Sequence, residues 1–329
     1  MNVNLVWRTD VHLSDRSPSS RLDNWSDTVF DKLGQVRDIA REVRADAIID
    51  GGDFFHVKAP GRNSHELVRR TLEHHRNYPC PVYCTPGNHD SVYGDYSFLP
   101  QQPLGVVFAS GAFLRLYDEH EVVFTREESG SIFKVRVVGI PYHGTSYDLD
   151  RFHKIERKDE DILICVAHVL ASEKGGTMFE GEDIIKYSDL LDTAPDMYCF
   201  GHWHKDQGVV ELGGKKFLNI GSLTRGSLSQ DEVERQPAAA VIKCHTIGGI
   251  PTVEVEVRRL VVKPASEVFD IEGRARQVRR QVEMDSFVNS IRDSLQPNRE
   301  GETLSDAVSH FSGIPSEVKE RALMYLEQV

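Results

Sequence analysis

From its first residue to about position 271 the chain alternates short apolar runs with segments of helical period, the pattern of an α/β or layered α+β domain. Strands are predicted at 3–7, 47–49, 82–84, 133–138, 162–167, 197–200 and 217–220. Between the first two, Val29, Leu33, Val36, Ile39, Ala40 and Val43 recur at helical spacing and predict an amphipathic helix over 27–44; a second helix is expected over 64–76. Further on, 238–244 and 252–260 flank Gly248-Gly249, and Val253-Glu254-Val255-Glu256-Val257 alternates with period two. A hairpin that finishes the sheet is expected there.

Beyond Pro264 the residues change to helix formers, with helices predicted over 274–295, over 303–311 and from Pro315 or Ser316 onward. Val278, Val282, Phe287, Ile291 and Leu295 lie along one helical stripe. Leu304, Val308 and Phe311 make a second stripe, and Val318, Ala322, Tyr325 and Leu326 a third. The chain therefore divides into a main domain of residues 1–263 and a helical tail of 264–329. Such stripes serve either as ordinary cover or as a groove for a partner helix.

A length of 329 residues suits a large domain with an appendage. With 40% hydrophobic and 27% charged residues, no apolar run of membrane-helix length and no basic, then apolar, leader, the sequence predicts a cytoplasmic protein away from membranes. Its five cysteines are odd in number and form no CxxC pair, so reduced thiols are expected rather than a disulfide framework. A net charge of −12 excludes a protein that grips nucleic acid through a broad basic surface.

The candidate chemistry sits just past the predicted strand ends. Asp10 and His12 follow the first strand, Gly51-Gly52-Asp53 the second and Gly87-Asn88-His89-Asp90 the third. His168 and then Gly201-His202-Trp203-His204 follow two later strands. Each fragment alone is usually structural; an Asp-x-His pair is more often a surface turn than a ligand pair. Together they bring carboxylates, imidazoles and an amide to one edge of a sheet, which predicts a dinuclear metal site. A two-cation site for phosphoryl transfer needs one carboxylate to bridge ions held about 3.5–4 Å apart. Asp53 is the natural bridge, with Gly51 and Gly52 letting the backbone approach, and Asn88 is the neutral oxygen ligand.

The order Asp-x-His, Gly-Gly-Asp, Gly-Asn-His-Asp, single His, Gly-His-x-His resembles the calcineurin-like metallophosphoesterases over residues 1 to about 260. The resemblance implies a sandwich of two mixed sheets flanked by helices. It also implies that Asp10, His12, Asp53 and His204 bind one metal, and that Asp53, Asn88, His168 and His202 bind the other. His89 becomes an unliganded general acid, and Asp90 a candidate to orient it.

Gly52-Asp53-Phe54-Phe55-His56 departs from the Gly-Asp-x-x-Asp-Arg-Gly of protein phosphatases and resembles the Gly-Asp-Leu-Phe-His of SbcD-type nucleases. Asp10-Val11-His12-Leu13 and Asn219-Ile220-Gly221-Ser222 resemble their other motifs. That branch implies a manganese-dependent exo/endonuclease acting at DNA ends in repair, recombination and replication. It further implies His56 beside the DNA and an SMC-like ATPase held by the tail, and it allows a homodimer. His143, Ser222 and Arg225 are candidate substrate contacts, and His65, His74, His75, His120, His153, His245 and His310 are read as surface residues. Family members carry an α/β capping domain before the ATPase-binding helices. Here the residues after Asp270 read as helix, so a reduced or absent capping domain is expected, as in a minimal or phage version. The alternative is a stand-alone phosphodiesterase for cyclic nucleotides or other small diesters, which fits the acidic charge and leaves the tail without a purpose.

Overall fold

The computed structural model describes residues 1–92, 94–176, 181–294, 304–310 and 315–326. In chain order the strands are β1 (Asn2–Arg8), β2 (Ala47–Asp50), β3 (Val82–Cys84), β4 (Leu114–Arg115), β5 (Val122–Glu128), β6 (Ser131–Ile140) and β7 (Ile162–His168), then β8 (Ala171–Ser172), β9 (Ile185–Lys186), β10 (Met197–Gly201), β11 (Asp206–Leu212), β12 (Lys215–Ile220), β13 (Ala238–Ile247) and β14 (Ile250–Arg259). They form two six-stranded mixed sheets, ordered β14-β13-β1-β2-β3-β4 and β11-β12-β10-β7-β6-β5, with β8 and β9 as a separate pair. Helices α1 (Trp25–Glu42), α2 (His65–His75) and α3 (Pro103–Ala109) belong to the first half of the chain.

Period-two burial sorts the strands between layers. Val3, Leu5 and Trp7 of β1 face Ile164 and Val166 of β7 and Met197 and Cys199 of β10 in the layer between the sheets. Val6, on the opposite face of β1, packs with Val29, Leu33 and Val36 of α1. The outer face of the second sheet is aromatic, with Tyr187, Tyr198, Phe200 and Phe217 stacked nearly parallel. Asn24 starts α1, its side-chain oxygen accepting from the Asp27 amide at 3.2 Å. The expected hairpin is present as β13 and β14. Strands β5 and β11 carry no clear sequence signal because they are edge strands with partly exposed faces.

Two expectations change. His75, read as a surface residue, is buried: its Nε2 lies 3.2 Å from the Arg8 guanidinium, and its Nδ1 lies 2.8 Å from the Thr71 carbonyl. The chain also remains part of the first compact unit past Pro264, as far as Phe269. Phe269 is buried beneath the guanidinium groups of Arg21 and Arg225, at 4.9 and 5.7 Å, and the Leu22 amide donates to the Val268 carbonyl.

The second unit, Asp270–Val329, contains helices Ile271–Ser294, Leu304–His310 and Ser316–Leu326. Within it Phe287 and Leu323 pack on buried Val308 and Ala322, while Val278 and Val282 are exposed. Leu295 and Phe311 lie outside the described residues, as do the side chains of Ile291, Leu304, Tyr325 and Leu326. All five cysteines are free, and among the described residues no helix is long and apolar enough to cross a membrane.

Beneath the polar edge of the first sheet, Arg8 and Asp50 form an ion pair at 2.6 Å with both side chains fully buried. Arg8 also donates to the Tyr78 hydroxyl and lies against the rings of Phe54, Tyr78 and Phe113. Removing one partner strands the other as an uncompensated buried charge. Asp50→Ala is expected to cost about 3–5 kcal/mol of stability, read as a lower denaturation midpoint in urea. An unchanged midpoint would show that the pair is not a structural brace.

Candidate metal centre

The loops after β1, β2, β3, β7 and β10 meet because neighbouring strands of both sheets run parallel and end on the same side. Asp10, His12 and Asp53 all have left-handed backbones, with φ of 51°, 50° and 52°. That conformation costs a non-glycine residue roughly 1–2 kcal/mol, so something must hold it. Hydrogen bonds between the two loops do so: Asp10 N to Gly52 O at 3.0 Å, His12 N to Asp53 O at 2.9 Å and Leu13 N to Phe54 O at 2.8 Å. Gly52, at φ 100°, has no room for a side chain, since a Cβ would meet the Gly87 nitrogen and the Thr85 oxygen at 2.6 Å. A Cβ on Gly87 would fall 2.1 Å from the Asp53 carboxylate.

This packing gathers all seven residues predicted as ligands. Donor atoms of Asp10, His12 and His204 form one group and those of Asp53, His168 and His202 another, each within 4.8 Å. Asp53 Oδ2 lies between the groups, 3.7 Å from His12 Nε2 and 3.5 Å from His168 Nε2. His12 Nε2 and His204 Nε2 converge to 2.9 Å, and Asn88 Oδ1 is 3.1 Å from His168 Nε2. His168 Nδ1 donates to the Gly51 carbonyl at 2.7 Å, which selects Nε2 as its ligating nitrogen.

The electrostatics favour positive charge at this place. Burial raises the cost of charge on Asp53, but His168 and its neighbours outweigh it and hold the carboxyl well below its ordinary range. Burial likewise opposes charge on His168, and the Asp53 carboxylate still pushes that imidazole up to about 9. Burial together with His204 keeps His12 well below the usual imidazole value, hence neutral. Imidazole, carboxylate and amide donors around a shared carboxylate fit two divalent cations.

His89 lies at the rim. Its backbone amide donates to Asp53 Oδ1 at 2.7 Å, and its Nδ1 donates to the His56 carbonyl at 2.6 Å, leaving Nε2 as the nitrogen for a substrate. The group that orients His89 is thus the His56 carbonyl rather than Asp90. Asp90 is buried and accepts from the amides of Gly87, Phe54 and Phe55, tying the third loop to the second. The His56 ring stacks on His89 at 5.1 Å, with Nδ1 3.3 Å from His12 Nδ1.

The other candidate contacts are committed to the fold. Arg225 is buried and donates to the carbonyls of Val233 and Lys263. Ser222 is buried, its hydroxyl donating to the Thr224 carbonyl and accepting from Arg235, while its amide donates to the His204 carbonyl. His143 accepts from the Asp148 amide and donates to the Pro141 carbonyl. Glu182 was not anticipated: its carboxylate accepts from His202 Nε2 at 2.9 Å. Nothing in its flanking residues, Gly181 and Asp183, signals that contact.

Residues 7–206 match the sequence model of the calcineurin-like phosphoesterase family. The chain is 24% identical over 259 residues to the DNA double-strand break repair protein Mre11 of Sulfurisphaera tokodaii, covering 77% of this chain and 63% of that protein. It is 24% identical over 267 residues to the double-strand break repair protein MRE11 of Encephalitozoon cuniculi, covering 70% and 43%. The chain thus spans less than two thirds of the length of these relatives. A Staphylococcus aureus structure described as a 5′-nucleotidase superposes with a TM-score of 0.53 at 16% identity, over 86% of this chain and 58% of that one, a likeness of fold alone.

Ligand and acid are separable by experiment. Asp53→Ala is expected to lose metal and phosphodiesterase activity together, whereas His89→Ala keeps its metal and loses about 10²-fold or more in turnover. Metal analysis of the two purified variants checks this, and a metal-free His89→Ala protein would contradict the assignment.

Proposed function

We propose that this chain, which belongs to the calcineurin-like phosphoesterase family, is a two-metal DNA nuclease of the SbcCD type that hydrolyses phosphodiester bonds at DNA ends. The observation that carries the reading is the placement of Asp53 between two donor groups, with the stacked His89–His56 pair at their rim. The likeness to two double-strand break repair proteins supports DNA as the substrate. Asp10, His12, Asp53, Asn88, His168, His202 and His204 would hold two divalent cations, manganese by family resemblance, which would supply Lewis acidity to the phosphate and acidify an attacking water.

The chain's own residues do the rest. His89, fixed through Nδ1 by the His56 carbonyl, presents Nε2–H to the leaving oxygen when its ring is protonated. General acid help of this kind contributes about 10²–10⁴ in rate. His56 stacks on His89, which supports assigning it the contact with a duplex that crosses the rim. Val278 and Val282 of the tail are exposed, and their helix is the proposed dock for an SMC-like ATPase that holds much of the DNA.

End-labelled duplex and single-stranded DNA in Mn²⁺, run beside a cyclic nucleotide, test the assignment. DNA shortening is expected; hydrolysis of the cyclic nucleotide with intact DNA would overturn it in favour of a small-diester enzyme. In the same assay His56→Ala should impair duplex cleavage more than hydrolysis of a small chromogenic diester, which is too short to reach it.

Docking is tested by truncation. Removing residues 272–329 should leave a folded, metal-loaded phosphodiesterase that no longer co-purifies with its ATPase. Unchanged ATPase binding, or unfolding, would remove the docking role from the tail.

A further inference from the structure

We propose that Glu182, anchored by Tyr147, is a positioning residue that fixes the His202 ring as an Nδ1 ligand of the cation shared with Asp53 and His168. The inference rests on the two-metal reading and concerns how that centre is held.

His202 is bound at both ends. Its backbone, at an unusual φ of 89°, donates through N–H to both carboxylate oxygens of Asp10 at 3.1 Å. Its ring donates through Nε2–H to Glu182 Oε1 at 2.9 Å. An imidazole that gives up Nε2–H in this way is the tautomer whose lone pair lies on Nδ1. A donor nitrogen of His202 lies within 4.8 Å of the donor atoms of Asp53 and His168. With Nε2 held by Glu182, the ligating atom is Nδ1.

Glu182 is itself positioned. The same Oε1 accepts from the Tyr147 hydroxyl at 2.5 Å, and that hydroxyl accepts from the Leu170 amide at 3.0 Å. Leu170 stands two residues past His168, the other imidazole of the group. The amides of Asp183 and Ile185 donate to the carbonyls of Thr145 and Leu170, fastening the Glu182 segment to the loop after β6 and the loop after β7. Two metal ligands on separate strands are thus joined through Leu170, Tyr147 and Glu182, and the position of one ring constrains the other. The carboxylate has a second effect: a hydrogen bond from the distal nitrogen makes an imidazole a stronger donor to a metal, and losing such a partner typically costs 10–100-fold in affinity.

Glu182 and Tyr147 line a hollow of about 420 Å³, so a shorter side chain at position 182 meets open space rather than a packed core. The variants to compare are Glu182→Ala, Glu182→Gln, whose amide oxygen still accepts from Nε2–H, and Tyr147→Phe, which leaves Glu182 in place without its anchor. Each full-length protein is stripped of metal and titrated with MnCl₂, with bound ions counted by metal analysis and their pairing read from the manganese EPR signal.

Wild type should take up two ions. Glu182→Ala should hold one with wild-type affinity and the other about 10–100-fold more weakly, Glu182→Gln should recover most of that loss, and Tyr147→Phe should weaken the same ion to a smaller extent. Wild-type affinity for both ions in Glu182→Ala, or equal weakening of both, would overturn the assignment while leaving the two-metal centre standing. A wild-type protein that binds fewer than two ions would instead sink the two-metal reading, and this inference with it.

Discussion

The structure depends on one buried carboxylate. Asp53 projects from the first sheet, and its Oδ2 lies 3.7 Å from an imidazole of its own sheet and 3.5 Å from one carried by the second. An anion in that position is tolerable only if positive charge or hydrogen-bond donors face it, and only if the two sheets approach closely enough to supply them. The second requirement explains the glycines. Gly52 and Gly87 stand where a Cβ would collide with backbone or with the Asp53 carboxylate itself. The first is met by the His89 amide, which donates to Asp53 at 2.7 Å, and by His168, whose imidazole the carboxylate pushes up to about 9. Below them Arg8 and Asp50 extend the same logic into the core, where Asp50 also accepts from the Gly52 amide at 3.1 Å. The Gly52 amide thus links the buried ion pair to the loop that carries Asp53.

What the sequence disclosed follows from how local each signal was. Buried strands such as β7, apolar from Ile162 to Ala167 and buried at every residue, declare themselves by composition. The seven ligand candidates could be brought to one place from the sequence because each lies at or shortly past the end of a strand. Residues whose roles depend on partners far away in sequence could not be read in this way. His75 looks like an ordinary helix-surface histidine until Arg8, from 67 residues earlier, is packed against it. Arg225 and Ser222 looked available to a phosphate, yet the Arg225 guanidinium is spent on the Val233 and Lys263 carbonyls and the Ser222 amide on the His204 carbonyl. Asp90 adjoins His89 in sequence but turns away from it to accept backbone amides of the second loop. Glu182 meets His202 across 20 residues from a loop with no regular pattern.

Charge sets how such an enzyme meets a polyanion. A net charge of −12 disfavours the approach of DNA, and some basic residues of the first unit are engaged in ion pairs, as with Arg21 and Asp23 or Arg136 and Glu160. The centre is different. Two divalent cations facing the carboxylates of Asp10 and Asp53 would leave a local excess of about two positive charges, confined to a few ångströms by the sheets around it. An attraction so short in range acts on a phosphate already delivered to the rim and does little to capture a duplex from solution, because screening at physiological salt extends only about 8 Å. On the nuclease reading, capture and cleavage are therefore separate tasks. Asp10, Asp53 and the histidines around them suit the second, and the proposed ATPase partner would carry the first.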